Sequence, residues 1–259
     1  MNERPPTSGE AQGAIGLIQA RMSSTRLPGK VLRPHNGSTV LGRVVRLTQS
    51  FTCQAVVCTS TDVSDDPIAA HCRELEVVCV RGPLEDVFQR FALALADPAV
   101  RPTPWFFRIT ADCPLLSAAL GRALLAARTS DVDYLWFDDA LLPRGISSEL
   151  VRRAAFESID AKAMDAAERE HVTVGLRERS CFRSLRVPVP AALRHPALRL
   201  TLDYPEDEAL LQALWAVDDQ LSAEQAVAYL LSHPELAAIN SGCQQKPVRQ
   251  ERAAPSGRI

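Results

Sequence analysis

The sequence predicts an α/β fold: a single domain built on a doubly wound, mostly parallel sheet with an appended segment. Three observations carry this expectation. Short apolar runs alternate with helix-length amphipathic segments along the first half of the chain. The 259 residues are 46% hydrophobic and 23% charged, an ordinary globular composition. No repeat and no low-complexity linker divides the chain between residues 14 and 240. A chain of this length buries a sizeable core without staples.

Taken in order, residues 14–19 read as a buried strand, followed by a polar loop. Residues 39–49 read as a helix on the spacing of Val40, Val44 and Leu47. Then come a strand at 54–59, a helix at 66–74, a strand at 77–80, a helix at 84–95, a strand at 105–110 and a helix at 118–128. Strands joined by helices imply parallel pairing, which places ligands at the carboxyl ends of the strands. The second half is less regular. It reads as strands at 133–137 and 184–189 with a polar helix over 164–179 between them, so 134–190 is expected to form the appendage. A strand at 198–202 leads into a helix at 206–217, where Pro205 suits the first helical position and Glu206, Asp207 and Glu208 complement the helix dipole. A last helix is expected at 225–231. Residues 1–13 and 241–259 are polar and are expected to be disordered tails.

Thirty-one acidic residues nearly balance twenty-nine basic ones, so no global field draws the protein to nucleic acid or an anionic membrane. No apolar run approaches the roughly 18 residues needed to span a bilayer. The first residues lack an apolar signal core, so a cytoplasmic protein is expected. The seven cysteines are odd in number and include no C-x-x-C pair, which favours free thiols over a zinc site.

The most informative stretch is Gln19-Ala20-Arg21-Met22-Ser23-Ser24-Thr25-Arg26-Leu27-Pro28-Gly29-Lys30, directly after the first strand. Three cations lie among small hydroxyl residues whose backbone N–H groups leave room for an anion. Val31 follows the lysine where a Walker loop requires Ser or Thr, and no G-x-G-x-x-G occurs anywhere. Position and spacing fit a phosphate site and a solvated basic loop alike. Asp112 and Asp203 each follow an expected strand, a location that suits either a turn cap or a Mg²⁺ carboxylate. Two such residues on one sheet, beside a phosphate loop, favour the metal pair.

The loop resembles the A-R-x-x-S-T-R-L-P-G-K signature of the sugar-acid cytidylyltransferases, the group of CMP-Kdo synthetase and acylneuraminate cytidylyltransferase, and most closely its spore-coat polysaccharide branch. The resemblance continues in order through Arg81-Gly82 with Glu85-Asp86-Val87, then Arg108-Ile109-Thr110-Ala111-Asp112-Cys113-Pro114-Leu115 and Pro143-Arg144-Gly145. It ends with Arg169-Glu170-His171-Val172-Thr173 and Arg199-Leu200-Thr201-Leu202-Asp203-Tyr204-Pro205-Glu206-Asp207.

The resemblance implies a nucleotide-diphospho-sugar transferase-like fold and a cytoplasmic homodimer. The implied reaction is Mg²⁺-dependent transfer of CMP from CTP to a small acidic acceptor, a nonulosonic or related sugar acid, with release of pyrophosphate. It further implies that Arg21 and Lys30 hold the triphosphate with Arg26 close by, and that Asp112 and Asp203 ligate the metal. The nucleotide would be completed by Ala20, by Thr59 in the loop 58–62 and by Thr110. The acceptor would meet Arg144, Glu149 and His171. One departure is visible: Ser147 stands where that branch usually carries Asp, which leaves the expected acceptor pocket one carboxylate short and keeps a small phosphonate or phosphate acceptor open. A non-catalytic nucleotide-binding protein and a glycosyltransferase are the competing readings. The first is opposed by the intact Arg21, Lys30, Asp112 and Asp203. The second requires a D-x-D metal motif, and Asp131-Val132-Asp133 opens a strand instead.

Overall fold

The computed structural model describes residues 13–245. Strand β1 (Ala14–Gln19) is buried along nearly its whole length, as a strand flanked on both sides and covered on both faces must be. A small hairpin, β2 (Pro34–His35) with β3 (Ser38–Thr39), leads into α1 (Val40–Gln49), which starts where Thr39 accepts a hydrogen bond from Gly42 N. There follow β4 (Ala55–Ser60), α2 (Asp66–Glu74), β5 (Val78–Gly82), α3 (Val87–Ala96), β6 (Trp105–Thr110) and α4 (Ala118–Ala126). Helix α3 begins three residues later than its sequence pattern suggests, because Asp86 caps it by accepting from Gln89 N.

Among the described residues seven strands form one sheet, in the order β5-β4-β1-β6-β8-β7-β9, with β7 (Tyr134–Phe137), β8 (Glu149–Arg152) and β9 (Ser184–Val187) completing it. The neighbours β5, β4, β1 and β6 are parallel; β8 runs antiparallel to both β6 and β7, and β9 is parallel to β7. The chain leaves β1 toward one edge through β4 and β5 and then returns to β6 on the other side of β1. That reversal opens a crevice beyond the carboxyl ends of β1 and β6, the general ligand position of such sheets.

One face of the sheet packs Phe107, Leu135 and Leu150 beneath α1, α4, α8 (Pro205–Val217) and α9 (Ala223–Ser232), which bury Val44, Leu120, Leu211 and Val227. The other face stacks Phe106 edge-on between Phe91 of α3 and Phe156 of α5 (Arg153–Glu157). Met164, Val172 and Leu176 close that face. No helix among the described residues is long and apolar enough to cross a membrane. The seven thiols are free, with Cys58, Cys72 and Cys113 buried and Cys181 exposed.

Several expectations are corrected. The segment 134–190 is less an appendage than expected, since it lays β7, β8 and β9 into the main sheet and only its helices add a layer outside it. Strand β8 escaped sequence reading because Glu149 and Arg152 bracket it, leaving an apolar run of only Leu150 and Val151. The helix expected over 164–179 is two helices, α6 (Ala166–His171) and α7 (Val174–Glu178), broken at Val172. The strand expected at 198–202 is reduced to one isolated bridge between Arg144 and Arg199. The expected tails lie mostly outside the described residues, but 241–245 are placed, and the side chain of Gln245 accepts from Arg199.

That single bridge is short because Gly145, at φ 97°, turns its partner chain away immediately after Arg144. A Cβ there would lie 2.7 Å from Thr201 N and 2.8 Å from Thr201 Cβ. Gly145→Ala therefore meets both a forbidden backbone and a clash, and is expected to lower stability by about 1–3 kcal/mol. Urea unfolding at neutral pH measures this; an unchanged midpoint would show that the close approach is dispensable.

Candidate active site

Beyond the carboxyl end of β1 the loop 20–30 is fastened before it can bind anything. Buried Asp65, at the start of α2, accepts from Met22 N at 2.7 Å and from Ser60 N, Ser60 Oγ and Thr59 Oγ1, so one carboxylate ties this loop to the loop after β4. From below, the buried guanidinium of Arg90 in α3 donates to Ala20 O at 3.3 Å and to Cys58 O at 3.4 Å. Gly29, at φ 69°, donates to Met22 O and turns the chain inward, which aims Lys30 at the crevice.

The Lys30 ammonium, almost fully buried, lies 2.5 Å from Asp112 Oδ2 and 2.7 Å from Asp203 Oδ1. Three chain segments thus meet at one nitrogen: the loop after β1, the loop after β6 and the segment before α8. The backbone supports the meeting, because Asp112 O accepts from Leu202 N at 2.8 Å and from Thr201 Oγ1 at 3.0 Å. Arg43 of α1 fastens the same loop by donating to Pro114 O at 2.7 Å. Around the centre, Arg26 reaches Asp203 Oδ1 at 2.9 Å and lies over the Tyr204 ring, while Arg199 holds Asp203 Oδ2 at 2.7 Å and grips Asp207. Three cations face three carboxylates, and every buried charge is paired, the condition under which burial is tolerable.

The ionisation states follow. Burial alone would raise the Asp112 carboxyl, but the Lys30 ammonium and the hydrogen bonds from Lys30 and Thr110 outweigh it and hold it at about 2. Asp203 is likewise raised by burial and by neighbouring Asp112, yet held low overall by Lys30 and Arg26. Burial lowers Lys30, and its two carboxylates more than restore it. No group of three or more His, Cys, Asp or Glu side chains among the described residues is arranged to hold a metal ion. Asp112 and Asp203 instead present two oxygens to one cationic point, a donor set that suits an ion completing its shell with phosphate and water.

A second polar cluster lies beside this centre, where β6, β8 and the α6–α7 junction meet. Glu149, opposite Arg108 across β8 and β6, accepts from Arg108 at 2.8 Å, from Thr173 at 2.9 Å and from the Tyr134 hydroxyl. Burial would raise its pKa, and Arg108 with the two hydroxyls brings it below the ordinary value. Val172 separates α6 from α7 at φ 61°, with Thr173 N bonded to His171 O at 2.6 Å. This tight turn is strained for a β-branched residue, and it brings His171 and Thr173 together over the cluster. Burial holds His171 below its ordinary pKa, so the imidazole is neutral at pH 7. Arg144 is exposed nearby and forms no ion pair with any described residue. Ser147 Oγ donates to Asp139 at 3.0 Å.

The structure therefore gathers Arg26, Lys30, Asp112 and Asp203 at one centre. Arg21 stays at its rim, exposed and 3.4 Å from Glu170 of α6. Thr110 bonds Cys113 Sγ, and Ala20 is covered by Arg90. Thr59 is fully buried with its hydroxyl committed to Asp65, so the exposed part of its loop is Thr61 and Asp62. Sequence reading missed Asp65, Arg90 and Tyr134, and it placed Arg108, Thr173 and Arg199 within matched motifs without giving them a role. Arg199 stands four residues before Asp203 in a stretch already singled out, but nothing in that spacing revealed an inward-facing fork. Asp207, expected to serve the helix dipole, is fully buried and serves Arg199 instead.

Comparison with known proteins converges with this geometry. The profile of a family described as cytidylyltransferase matches residues 15–234. The chain is 33% identical over 233 residues to the spore coat polysaccharide biosynthesis protein SpsF of Bacillus subtilis (strain 168), covering 85% of this chain and 95% of that protein. It is 31% identical over 246 residues to an uncharacterized protein of Methanocaldococcus jannaschii, covering 91% of this chain and 98% of that one. Among solved structures, a cytidylyltransferase from Leptospira borgpetersenii superposes with a TM-score of 0.78 at 25% identity, covering 87% of this chain and 97% of that one.

The depressed Asp112 carboxyl makes a pH prediction. A carboxyl held at about 2 against an ordinary value of 3.8 contributes stability that is complete above the ordinary value and lost as pH falls through the folded one. The stability gap between wild type and Asp112→Asn is expected to be flat from about pH 5 to 7 and to narrow between about pH 4 and 2. Urea unfolding across this range measures it; a gap that widens in acid would contradict the charge assignment.

Proposed function

The chain belongs to the cytidylyltransferase family, and on that premise we propose that it transfers CMP from CTP to a small acidic acceptor, releasing pyrophosphate in a Mg²⁺-dependent reaction. The observation that carries this reading is the convergence of Asp112 Oδ2 and Asp203 Oδ1 on Lys30 in the crevice beside the phosphate loop. Asp112 and Asp203 are the residues that would hold the metal. When bound, Mg²⁺ supplies Lewis-acid neutralisation of the charge that develops on the phosphates. Arg21 and Lys30 bind the triphosphate with Arg26 beside them, Lys30 exchanging its carboxylate partners for phosphate oxygens. A guanidinium binds two phosphate oxygens at once, whereas the ammonium acts as a point charge on the leaving group. Thr110 lines the nucleotide, while buried Ala20 and Thr59 shape the loops beside it from behind, Thr59 through Asp65.

The acceptor binds beside the second cluster. Arg144, exposed and unpaired by any described carboxylate, favours an anionic group, and neutral His171 offers a hydrogen bond without competing charge. Glu149, saturated by three donors, orients Arg108 and the α6–α7 turn. A nonulosonic or related sugar acid is the leading acceptor, supported by the likeness to a polysaccharide biosynthesis protein. The same reading makes the protein a cytoplasmic homodimer.

Incubation with each nucleoside triphosphate, Mg²⁺ and a panel of sugar acids and small phosphonates tests the proposal, with pyrophosphate as readout. Release is expected with CTP and an acidic acceptor only. Asp112→Asn and Asp203→Asn are expected to lower turnover at least about a hundredfold, since charge stabilisation at such a site is worth several kcal/mol. Full turnover of either variant, or of wild type in excess chelator, would overturn the assignment. Calorimetry on Arg21→Ala is expected to show weakened CTP binding; unchanged affinity would make that arginine a bystander at the rim.

A further inference from the structure

We propose that Arg199 is a positioning residue for the transfer reaction: it closes one oxygen of Asp203 so that the other alone is offered to the cation. The inference rests on the metal-dependent reading above and extends it to a residue that does not itself reach the reacting atoms.

The two oxygens of Asp203 are sorted. Oδ1 faces Lys30 at 2.7 Å and Arg26 at 2.9 Å, on the open side of the crevice. Oδ2 faces inward and receives Arg199 Nη2 at 2.7 Å. The guanidinium has little freedom to turn, because Nε and Nη2 also bind the two oxygens of Asp207 at 2.8 and 3.1 Å. Asp207 is itself locked, since its carboxylate accepts from Asp203 N at 2.9 Å, Tyr204 N at 3.0 Å and Asn240 Nδ2 at 2.8 Å. Asn240 closes the circuit by donating to Arg199 O at 3.0 Å. A planar fork anchored on one carboxylate thus aims the second N–H of Nη2 at another, while Nη1 donates to Gln245.

This arrangement has a chemical consequence. Mg²⁺ demands near-octahedral geometry and accepts single carboxylate oxygens, whereas Ca²⁺ readily takes both oxygens of one carboxylate. With Oδ2 occupied, Asp203 is a one-oxygen ligand. Lysine carries the same charge but cannot span Asp203 and Asp207 with a planar fork. The sign of the effect separates geometry from charge. Deleting a cation from the site attracts a metal more strongly by Coulomb's law, whereas deleting a positioning group weakens metal binding.

The test measures Mn²⁺ binding by electron paramagnetic resonance on the full chain with α,β-methylene CTP, for wild type, Arg199→Lys and Arg199→Gln. Mn²⁺ affinity is expected to fall about tenfold or more in both variants, the usual size of an outer-partner effect. Ca²⁺ is expected to displace Mn²⁺ more readily than from wild type. Affinity for the nucleotide analogue without metal should change less than about twofold, because Arg199 touches Asp203 and Asp207 and not the phosphate loop. Unchanged Mn²⁺ affinity with a lowered melting temperature would overturn the proposal and leave Arg199 a structural brace, and tighter Mn²⁺ binding would overturn it in favour of a charge effect alone. Should Arg199→Lys not fold, Asn240→Ala loosens Asp207 while keeping every charge, and is expected to weaken Mn²⁺ binding in smaller measure; unchanged binding there also counts against the proposal. Failure of wild type itself to bind Mn²⁺ overturns the metal-dependent reading, and this inference with it, and is distinguishable because it appears before any substitution.

Discussion

One ammonium holds the crevice of this protein together. Lys30 joins Asp112, 82 residues away, and Asp203, 173 residues away. Two carboxylates that close would repel each other and resist burial, so the cation between them adds to the hydrogen bonds that Asp112 O accepts from Leu202 and Thr201 in holding their segments together. Every neighbouring arrangement follows from this. Gly29 turns to deliver the lysine, Gly145 lets the Arg144 backbone approach Thr201, and Arg43 fixes the loop that carries Asp112. The sheet supplies the platform, and its order reversal beside β1 decides where these loops meet.

The second cluster obeys the same rule with the signs exchanged. There a carboxylate, Glu149, sits at the centre, and donors from β6, β7 and the α6–α7 turn converge on it. The strained turn at Val172 persists because Glu149 holds Thr173 on one side and the apolar layer holds Val172 on the other. Each hub ties different chain segments to the crevice rim, so both sides of the cleft are braced by paired charges. Binding energy is then available for the reacting groups and is not consumed in assembling the site.

The uniform runs were legible in the sequence. The strands at 14–19 and 105–110 and the helix at 66–74 match the structure residue for residue, because each is bounded by a change of polarity or a capping side chain. The residues of the Lys30 centre were legible too, through the order of their motifs. Inward-turned polar side chains were not. β8 hides behind Glu149 and Arg152, which the pattern of polarity treats as surface. Asp65, Arg90 and Asp207 are fully buried charges, and polarity alone directs such residues to solvent. A periodicity argument sees which side chains avoid water, not which charges will find partners inside, because those partners are tens of residues distant.

The balance of Lys30, Arg26 and Arg199 against Asp112, Asp203 and Asp207 bears on how such a protein drifts over generations. In many enzymes the reacting groups are a burden on the fold, and their loss leaves a sturdier scaffold that selection can reuse. Here six charged side chains at and behind the proposed site clamp three distant stretches of chain, and discarding Lys30 strands the Asp112 carboxylate inside. A lineage that abandoned the chemistry would have to replace cation and anion together to keep its shape. Inheritance of the fold is thereby bound to inheritance of these charged residues, and descendants that remain folded tend to keep them.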